Sequence, residues 1–323
     1  MTAEPGLTAD PAPAPTAPPT PAPVPASAAA PVPAPAPDRG PTAEPGRAGR
    51  PRRRWPLPRR VPVGLLLAWL VLAVVVLWAV APGLFTGHDP INGVPAEKLQ
   101  PPSAAHPLGT DALGRDLFAR VVHGAANSLS GALLAVTVGL VLGTLLGLLA
   151  GSLGGVVDEI TMRLVDVLLA VPGLLLALTV VILLGTGTLN VAVAVGIGSV
   201  AAFARLARSE VVRVRRTDYV EAAFGSGGRL TTVLRRHVLP NSLEPVISLA
   251  ALQFGSAIIA ISTLGFLGYG APPPTPEWGL LIAEGRTYVA SSWWLTTLPG
   301  VVVVLVVLAA NRVSLAIGRE ESR

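Results

Sequence analysis

The chain of 323 residues is 51% hydrophobic and only 13% charged, with a mean hydropathy of +0.61, a balance that excludes an ordinary soluble domain and points to the membrane. Its formal charge of +5 does not imply a nucleic-acid partner, because the basic residues crowd the flanks of apolar runs instead of forming a basic domain with interleaved aromatics. Cysteine is absent, which excludes disulfides and thiolate metal sites.

Residues 1–48 are dominated by Pro and Ala without hydrophobic periodicity, so a solvated tail, disordered or partly polyproline II, is expected there. A tail of this kind also suits an aromatic-lined partner module. An arginine cluster completes the segment 1–60. The apolar run 63–81 follows that cluster and is long enough to remain a span, so a membrane helix is expected rather than a cleaved signal. Further uncharged runs cover 128–157, 167–204, 245–276 and 287–311. A hydrocarbon core of about 30 Å takes roughly 20 helical residues. The run 167–204 is therefore too long for one span, and Gly185, Thr186, Gly187, Thr188, Leu189 and Asn190 suit a tight connection within it. Six spans result. Such continuous runs fit closed helices and not the alternating strands of a barrel. The predicted organisation is the tail 1–60, a first helix and extracytoplasmic segment 61–127, a membrane core 128–315 containing a polar segment 208–244, and a C-terminal tail 316–323.

Six spans put both termini on one side. Cytoplasmic loops retain positive charge, and placing the termini inside gathers the arginines at 47–60 with Arg205, Arg208, Arg213, Arg215, Arg216, Arg229, Arg235 and Arg236. Lys98, Arg115, Arg120 and Arg286 remain outside. The first inner loop is acidic through Asp158 and Glu159, with Arg163 its only base, but the rule counts bases and not net charge.

The segment 218–241, DYVEAAFGSGGRLTTVLRRHVLPN, is polar and lies between two apolar runs. Thr217 and Asp218 are good N-cap residues, and Asp218 with Glu221 has the spacing of a capping box. Gly225, Gly227 and Gly228 break the first helix, and a second is expected from about 229 to 238, with Leu230, Val233, Leu234 and His237 on one face, ended by Leu239, Pro240 and Asn241. An amphipathic segment like this either docks a partner or lies in the lipid interface.

Glu221, Ala222, Ala223, Gly227, His237, Leu239 and Pro240 resemble, in identity and spacing, the EAA loop of importer-type ABC transporter permeases. Two further segments are similar to the peptide and nickel importer subgroup, with the dipeptide-permease C-type as the nearest pattern: 106–116, HPLGTDALGRD, followed by Arg120, Gly124 and Ser128, and 264–279, LGFLGYGAPPPTPEWG. The resemblance implies an all-α membrane protein of type I importer architecture, with six transmembrane helices and a cytoplasmic coupling helix. It also implies a homologous permease partner, two ATP-binding cassette ATPase subunits, an extracytoplasmic solute-binding protein, and a place among the lipids of a bacterial inner membrane. In that family the short helix docks on the ATPase, with Glu221 at the interface and Gly227 permitting the turn. Peptides are the implied cargo; nickel or another small solute is the alternative. The chain departs from the pattern at Phe224, Gly225 and Ser226, and at Asn311, Arg312 and Val313. Glycine inside a helix costs on the order of 1 kcal/mol relative to alanine, so a shorter or softer first helix is expected.

The only lysine, Lys98, follows Glu97 and no glycine-rich turn, so there is no Walker A loop. An ion-coupled carrier or a channel is the competing class, but the spans hold no ionisable residue except near their ends. Asp166 is expected to pair with Arg163 on one helix face. His88, His106, His123 and His237 have no metal spacing, and neither catalytic residues nor a cofactor are expected. Gly139, Gly143, Gly147 and Gly151 form a small-residue stripe, suited either to close packing or to a helix interface that moves. Thr137, Thr144, Asn190, Gln253, Ser256, Ser262 and Thr263 either line a pathway or satisfy interhelical hydrogen bonds.

Overall fold

The computed structural model describes residues 63–321, with side chains to residue 316. The tail expected over 1–60 lies outside the described residues. Among the described residues the secondary structure is ten α-helices with short 3₁₀ turns and one π turn, and extended pairing is limited to one isolated bridge between Thr110 and Asp116.

Helix α1, Val63–Val80, coincides with the first apolar run and buries only Ala68 and Val75 within the chain. Helix α2, Leu117–Leu153, has 37 residues, about 55 Å at 1.5 Å per residue, longer than a hydrocarbon core. It begins well before the predicted run at 128, so the expected division at 127/128 falls inside it. Arg120 and His123 interrupt the apolar run, yet Arg120 is fully buried and paired with Asp111 and Glu284, so it does not interrupt the helix.

The third predicted span is broken. Helices α3, Gly155–Ala170, and α4, Gly173–Leu184, meet at 96°. Val171, the residue before Pro172, is extended at φ −86° and ψ 130°, as the ring of a following proline requires, and Pro172 has no N–H to continue the ladder. Helix α4 has 12 residues, about 18 Å, which is short of a crossing. Among the described residues five helices are long and apolar enough to cross a membrane, and a sixth crossing exists only if the bent pair is counted as one. Asp158 and Glu159, expected in a loop, belong to α3. The expected Asp166–Arg163 pair does not form: Arg163 bonds Glu159 one turn back at 2.7 Å, which leaves Asp166 to reach Arg205, beyond α4 in the chain.

Helix α5, Thr188–Arg215, follows Gly185 and Gly187, both at positive φ (92° and 128°), where glycine carries no Cβ penalty. Asn190 closes the connection by donating to the Leu184 and Gly185 carbonyls at 3.0 and 3.2 Å. Then come α6, Asp218–Gly225, and α7, Leu230–Val233. Leu239, Pro240 and Asn241 do not end a helix. A single π turn at Leu234–Val238 carries α7 directly into α8, Leu239–Phe266. Pro240 stands in the first turn of α8, where its missing N–H is best tolerated, and the widened turn before it relieves the ring. Helix α9, Trp278–Gly285, is short, and α10, Trp294–Glu321, continues through the predicted C-terminal tail at 316–323 as far as Glu321.

The most extensive packing is between α2 and α5. Gly139, Gly143, Gly147 and Gly151 are all buried on α2. A Cβ on Gly147 would lie 2.5 Å from the Ala204 carbonyl oxygen, and one on Gly151 would lie 2.8 Å from Val211 Cγ1. Small residues let two backbones meet at this distance.

Candidate functional site

The polar segment between α5 and α8 folds into a compact knob. Its interior is Val211 and Val214 from α5, Val220 from α6, Val233 from α7 and Val238, with Leu148 of α2, Ala223, Phe224 and Leu234 packed around them. Burying a valine fully is worth about 1.5–3 kcal/mol, so this cluster fixes α6 against the ends of α2 and α5. Arg215 adds a polar tie by donating to the Gly151 carbonyl at 2.9 Å, one of the acceptors left open as α2 ends.

The start of α6 differs from the expected capping box. Thr217 occupies the N-cap position, but its hydroxyl donates to the Val214 carbonyl at 2.6 Å and no side chain caps the helix. Asp218 and Glu221 still stand in the first turn, where negative charge is favourable to the helix dipole. The far end is a Schellman turn: Gly228 N–H donates to Ala223 C=O at 3.1 Å and Gly227 N–H to Phe224 C=O at 2.9 Å. Gly227 has φ +87°, the left-handed conformation that this closure needs. A Cβ on Gly228 would meet the Ala223 carbonyl oxygen at 2.5 Å. Gly225 has open space and an ordinary φ; it completes an eight-residue helix instead of breaking it.

Glu221 and Ala222 are exposed, while Ala223 turns toward the valine cluster. The Glu221 carboxylate makes no hydrogen bond or ion pair among the described residues. His237 is half-buried and meets the Tyr219 ring edge-on at 6.3 Å, so it braces the first helix from the π turn. Leu239 and Pro240 lie past that turn in α8. The seven candidate residues therefore form one unit: an exposed acid on a short helix, a glycine closure behind it, and a stem continuous with a membrane-length helix.

Two features at the knob were not foreseen. Arg208 of α5 donates through Nε and Nη2 to the Asp158 carboxylate of α3, at 2.9 and 2.5 Å, and Arg205 pairs with Asp166 one turn away. Together they strap the broken α3 to α5. Partners separated by 50 and 39 positions leave no local spacing signal.

At the opposite end the two other motif segments meet. Asp116 caps α2 by accepting from Ala119 N–H at 2.6 Å and holds His106 Nδ1 at 2.8 Å. Asp111 accepts from Leu113 and Arg115 N–H, from Arg115 Nε at 2.6 Å and from Arg120 at 2.8 Å; Arg120 also reaches Glu284 of α9 at 2.6 Å. Burial pushes the Asp111 carboxyl up, but the Arg115 N–H, the charge of its guanidinium and the Leu113 N–H more than offset this and hold it below the ordinary value of 3.8. Glu277 is buried and caps α9 through Gly279 and Leu280 N–H at 3.0 and 3.1 Å. Its neighbour Trp278 donates its indole N–H to the Val121 carbonyl at 2.9 Å and its backbone N–H to Ser128 Oγ at 3.2 Å. Gly124 and Ser128 of the first motif thus receive Trp278 of the second.

Residues 143–319 match the family of binding-protein-dependent transport system inner membrane components. The chain is 42% identical to the di/tripeptide transport system permease protein DppC of Pseudomonas aeruginosa, over 77% of this chain and 83% of that protein. It is 37% identical to the dipeptide transport system permease protein DppC of Alkalihalophilus pseudofirmus, over 77% of this chain and 82% of that protein. The glutathione transport system permease protein GsiD of Salmonella typhimurium is 42% identical, over 84% of this chain and 90% of its own length. Among solved structures, an amino acid ABC transporter with histidines aligns over 62% of this chain at 15% identity, with a TM-score of 0.49. With its multiple membrane-length helices and these relatives, the chain belongs to the family of binding-protein-dependent transport system inner membrane components.

Proposed function

We propose that this chain is one permease subunit of an ATP-driven importer of di- and oligopeptides, and that energy enters it through the knob at 217–238. The observation that carries the coupling role is the exposed Glu221 helix, held by the Gly227 turn against α7, which itself continues through the π turn into α8. A push on α6 is transmitted along a stem that runs the length of the bundle. The relatives named for dipeptide, di/tripeptide and glutathione transport support the cargo class. By the same relationship the chain pairs with a homologous permease, two ATPase subunits bind below, and a solute-binding protein delivers cargo from above. The arginines of α5, those at 229, 235 and 236, and those at 47–60 support an orientation with both termini and the knob in the cytoplasm. Because no lysine follows a glycine-rich turn in the sequence, ATP hydrolysis is assigned to the separate subunits.

The test is co-purification and transport with the ATPase subunits. Glu221→Arg is expected to lose the ATPase and peptide uptake together while the chain still inserts and keeps its thermal midpoint. Uptake at the unmodified rate by that variant, or uptake by the chain without any ATPase, overturns the reading.

A further inference from the structure

A cavity of about 200 Å³, open on one side of the chain, lies between α2, α4, α5 and α8. Complete small-molecule sites occupy roughly 300–1,000 Å³, so this one has the size of a portion of a path. No charged side chain lines it; its wall is Ala, Val, Leu and Gly with three polar side chains, Ser199, Gln253 and Ser256.

The three differ in what they bond. Ser199 donates to the Gly196 carbonyl at 2.8 Å and is satisfied within its own helix. Hydroxyls elsewhere in the bundle do the same, Thr137 to Leu133, Ser242 to Val238 and Thr263 to Ile259, each at 2.8 Å. Gln253 is half-buried and Ser256 exposed, and the side chain of neither has a hydrogen-bond partner among the described residues. They stand three positions apart on α8, which puts them on one face, and that face borders the cavity. An amide and a hydroxyl on an open face of a membrane helix cost free energy if that face meets hydrocarbon, and not if it meets water or a polar solute.

We infer that Gln253 and Ser256 are solute-contacting residues of the translocation path and that they engage the main-chain amides of a passing peptide, not its charged side chains. This rests on the peptide-import reading above. A primary amide presents two donors and an acceptor, and a hydroxyl presents a donor and two acceptors. That set matches the N–H and C=O groups every peptide repeats. With no charged group on the cavity wall, nothing there selects for side-chain charge, and sequence-tolerant passage follows.

The absence of cysteine from the chain makes the inference directly testable. Gln253→Cys and Ser256→Cys each introduce a single thiol, and Leu305→Cys on an exposed apolar face of α10 is the comparison. The full transporter is reconstituted with its partner subunits and treated with a charged, membrane-impermeant methanethiosulfonate, and modification of this chain is read by its mass shift. Both path thiols are expected to react at least tenfold faster than the α10 thiol. Turnover with saturating dialanine, binding protein and ATP is expected to slow them several-fold, and trilysine and triglutamate are expected to protect equally well. Rates no faster than at position 305, or no protection by a peptide that the unmodified transporter imports, overturn the inference. Protection by only one charge type overturns the amide-recognition part. If the unmodified transporter imports no peptide at all, the cargo reading fails instead, and the labelling rates without peptide still decide whether the pair lines a water-filled path.

Discussion

Gly143 on α2 faces Phe203 on α5 so closely that a Cβ at 143 would lie 2.5 Å from Phe203 Cβ and 2.6 Å from the Val200 carbonyl oxygen. In lipid there is little hydrophobic drive between helices, and close van der Waals contact takes its place. The stripe therefore ties the α6 knob to the α9 end, because α2 and α5 both run between them.

Gly143→Val is expected to force these backbones apart. Overpacking a close interface costs about 1–3 kcal/mol, read as a lower thermal midpoint in detergent. Gly225→Val adds the same side chain where no atom lies within 4 Å of the new Cβ, and it should leave the α2–α5 packing intact. A midpoint for Gly143→Val equal to the unmodified chain removes the stripe from the stability argument.

The apolar runs made the membrane-length helices legible, and the glycine pair Gly185 and Gly187 made their connection legible. What stayed hidden has a physical reason in each case. The start of α2 was masked by Arg120, whose charge is met by Glu284 from a helix 164 positions away. Helix α3 was masked by its charges: Glu159 and Arg163 pair with each other along the helix, while Asp158 and Asp166 have partners on α5 that no periodicity reveals. The motif residues Glu221, Gly227 and Pro240 were legible as a unit, but the π turn that makes Pro240 a joint and not a terminus depends on a one-residue change in hydrogen-bond register. Gln253 and Ser256 were visible only among seven polar candidates: Asn190 closes the α4–α5 connection, Thr137 and Thr263 fold back onto their own helices, the Thr144 and Ser262 hydroxyls are buried without a partner among the described residues, and of the seven only Gln253 and Ser256 border the cavity.

The Asp111 cluster predicts a pH dependence of known sign. Its carboxyl is held below the ordinary 3.8 in the folded chain, so its stabilisation is fully present above the unfolded value and is lost as pH falls through the lowered one. Asp111→Asn should lower the thermal midpoint at pH 7 by the equivalent of roughly 1.5–3 kcal/mol, the range for hydrogen bonds to charged groups. The gap between variant and unmodified chain should narrow below about pH 4, where the carboxylate protonates in the unfolded state. A gap that is constant with pH would show that the charge of Asp111 contributes nothing to it.

Gly225 and Gly227 should respond in opposite directions to alanine. At Gly225 the backbone is helical and the space open, so Gly225→Ala should stabilise α6 by about 0.5–1 kcal/mol and tighten co-purification with the ATPase. At Gly227 the left-handed conformation at φ +87° penalises a side chain by about 1–2 kcal/mol. Gly227→Ala should loosen the closure and weaken that association while membrane insertion is unchanged. Equal effects from the two variants, measured by pull-down against ATPase concentration, contradict the assignment of Gly227 as the closure.

Pro240 sets the orientation of the knob on its stem. Leu239 N–H bonds Leu234 C=O, five residues back, and Pro240 follows with no N–H to restore the ordinary four-residue bond. Alanine at 240 supplies that donor and removes the ring that the wide turn accommodates. The α-helical register then competes with the π turn. Losing one residue from a helical turn rotates everything before it by about 100° relative to α8, which swings Glu221 off its docking face. Pro240→Ala should therefore raise the thermal midpoint slightly while peptide-stimulated ATP hydrolysis by the assembled transporter falls several-fold. Pro240→Gly, which supplies the same donor but disfavours a helix by about 1 kcal/mol, should keep more of the stimulation. If both variants retain full stimulation, the π turn is not the joint through which α6 drives α8.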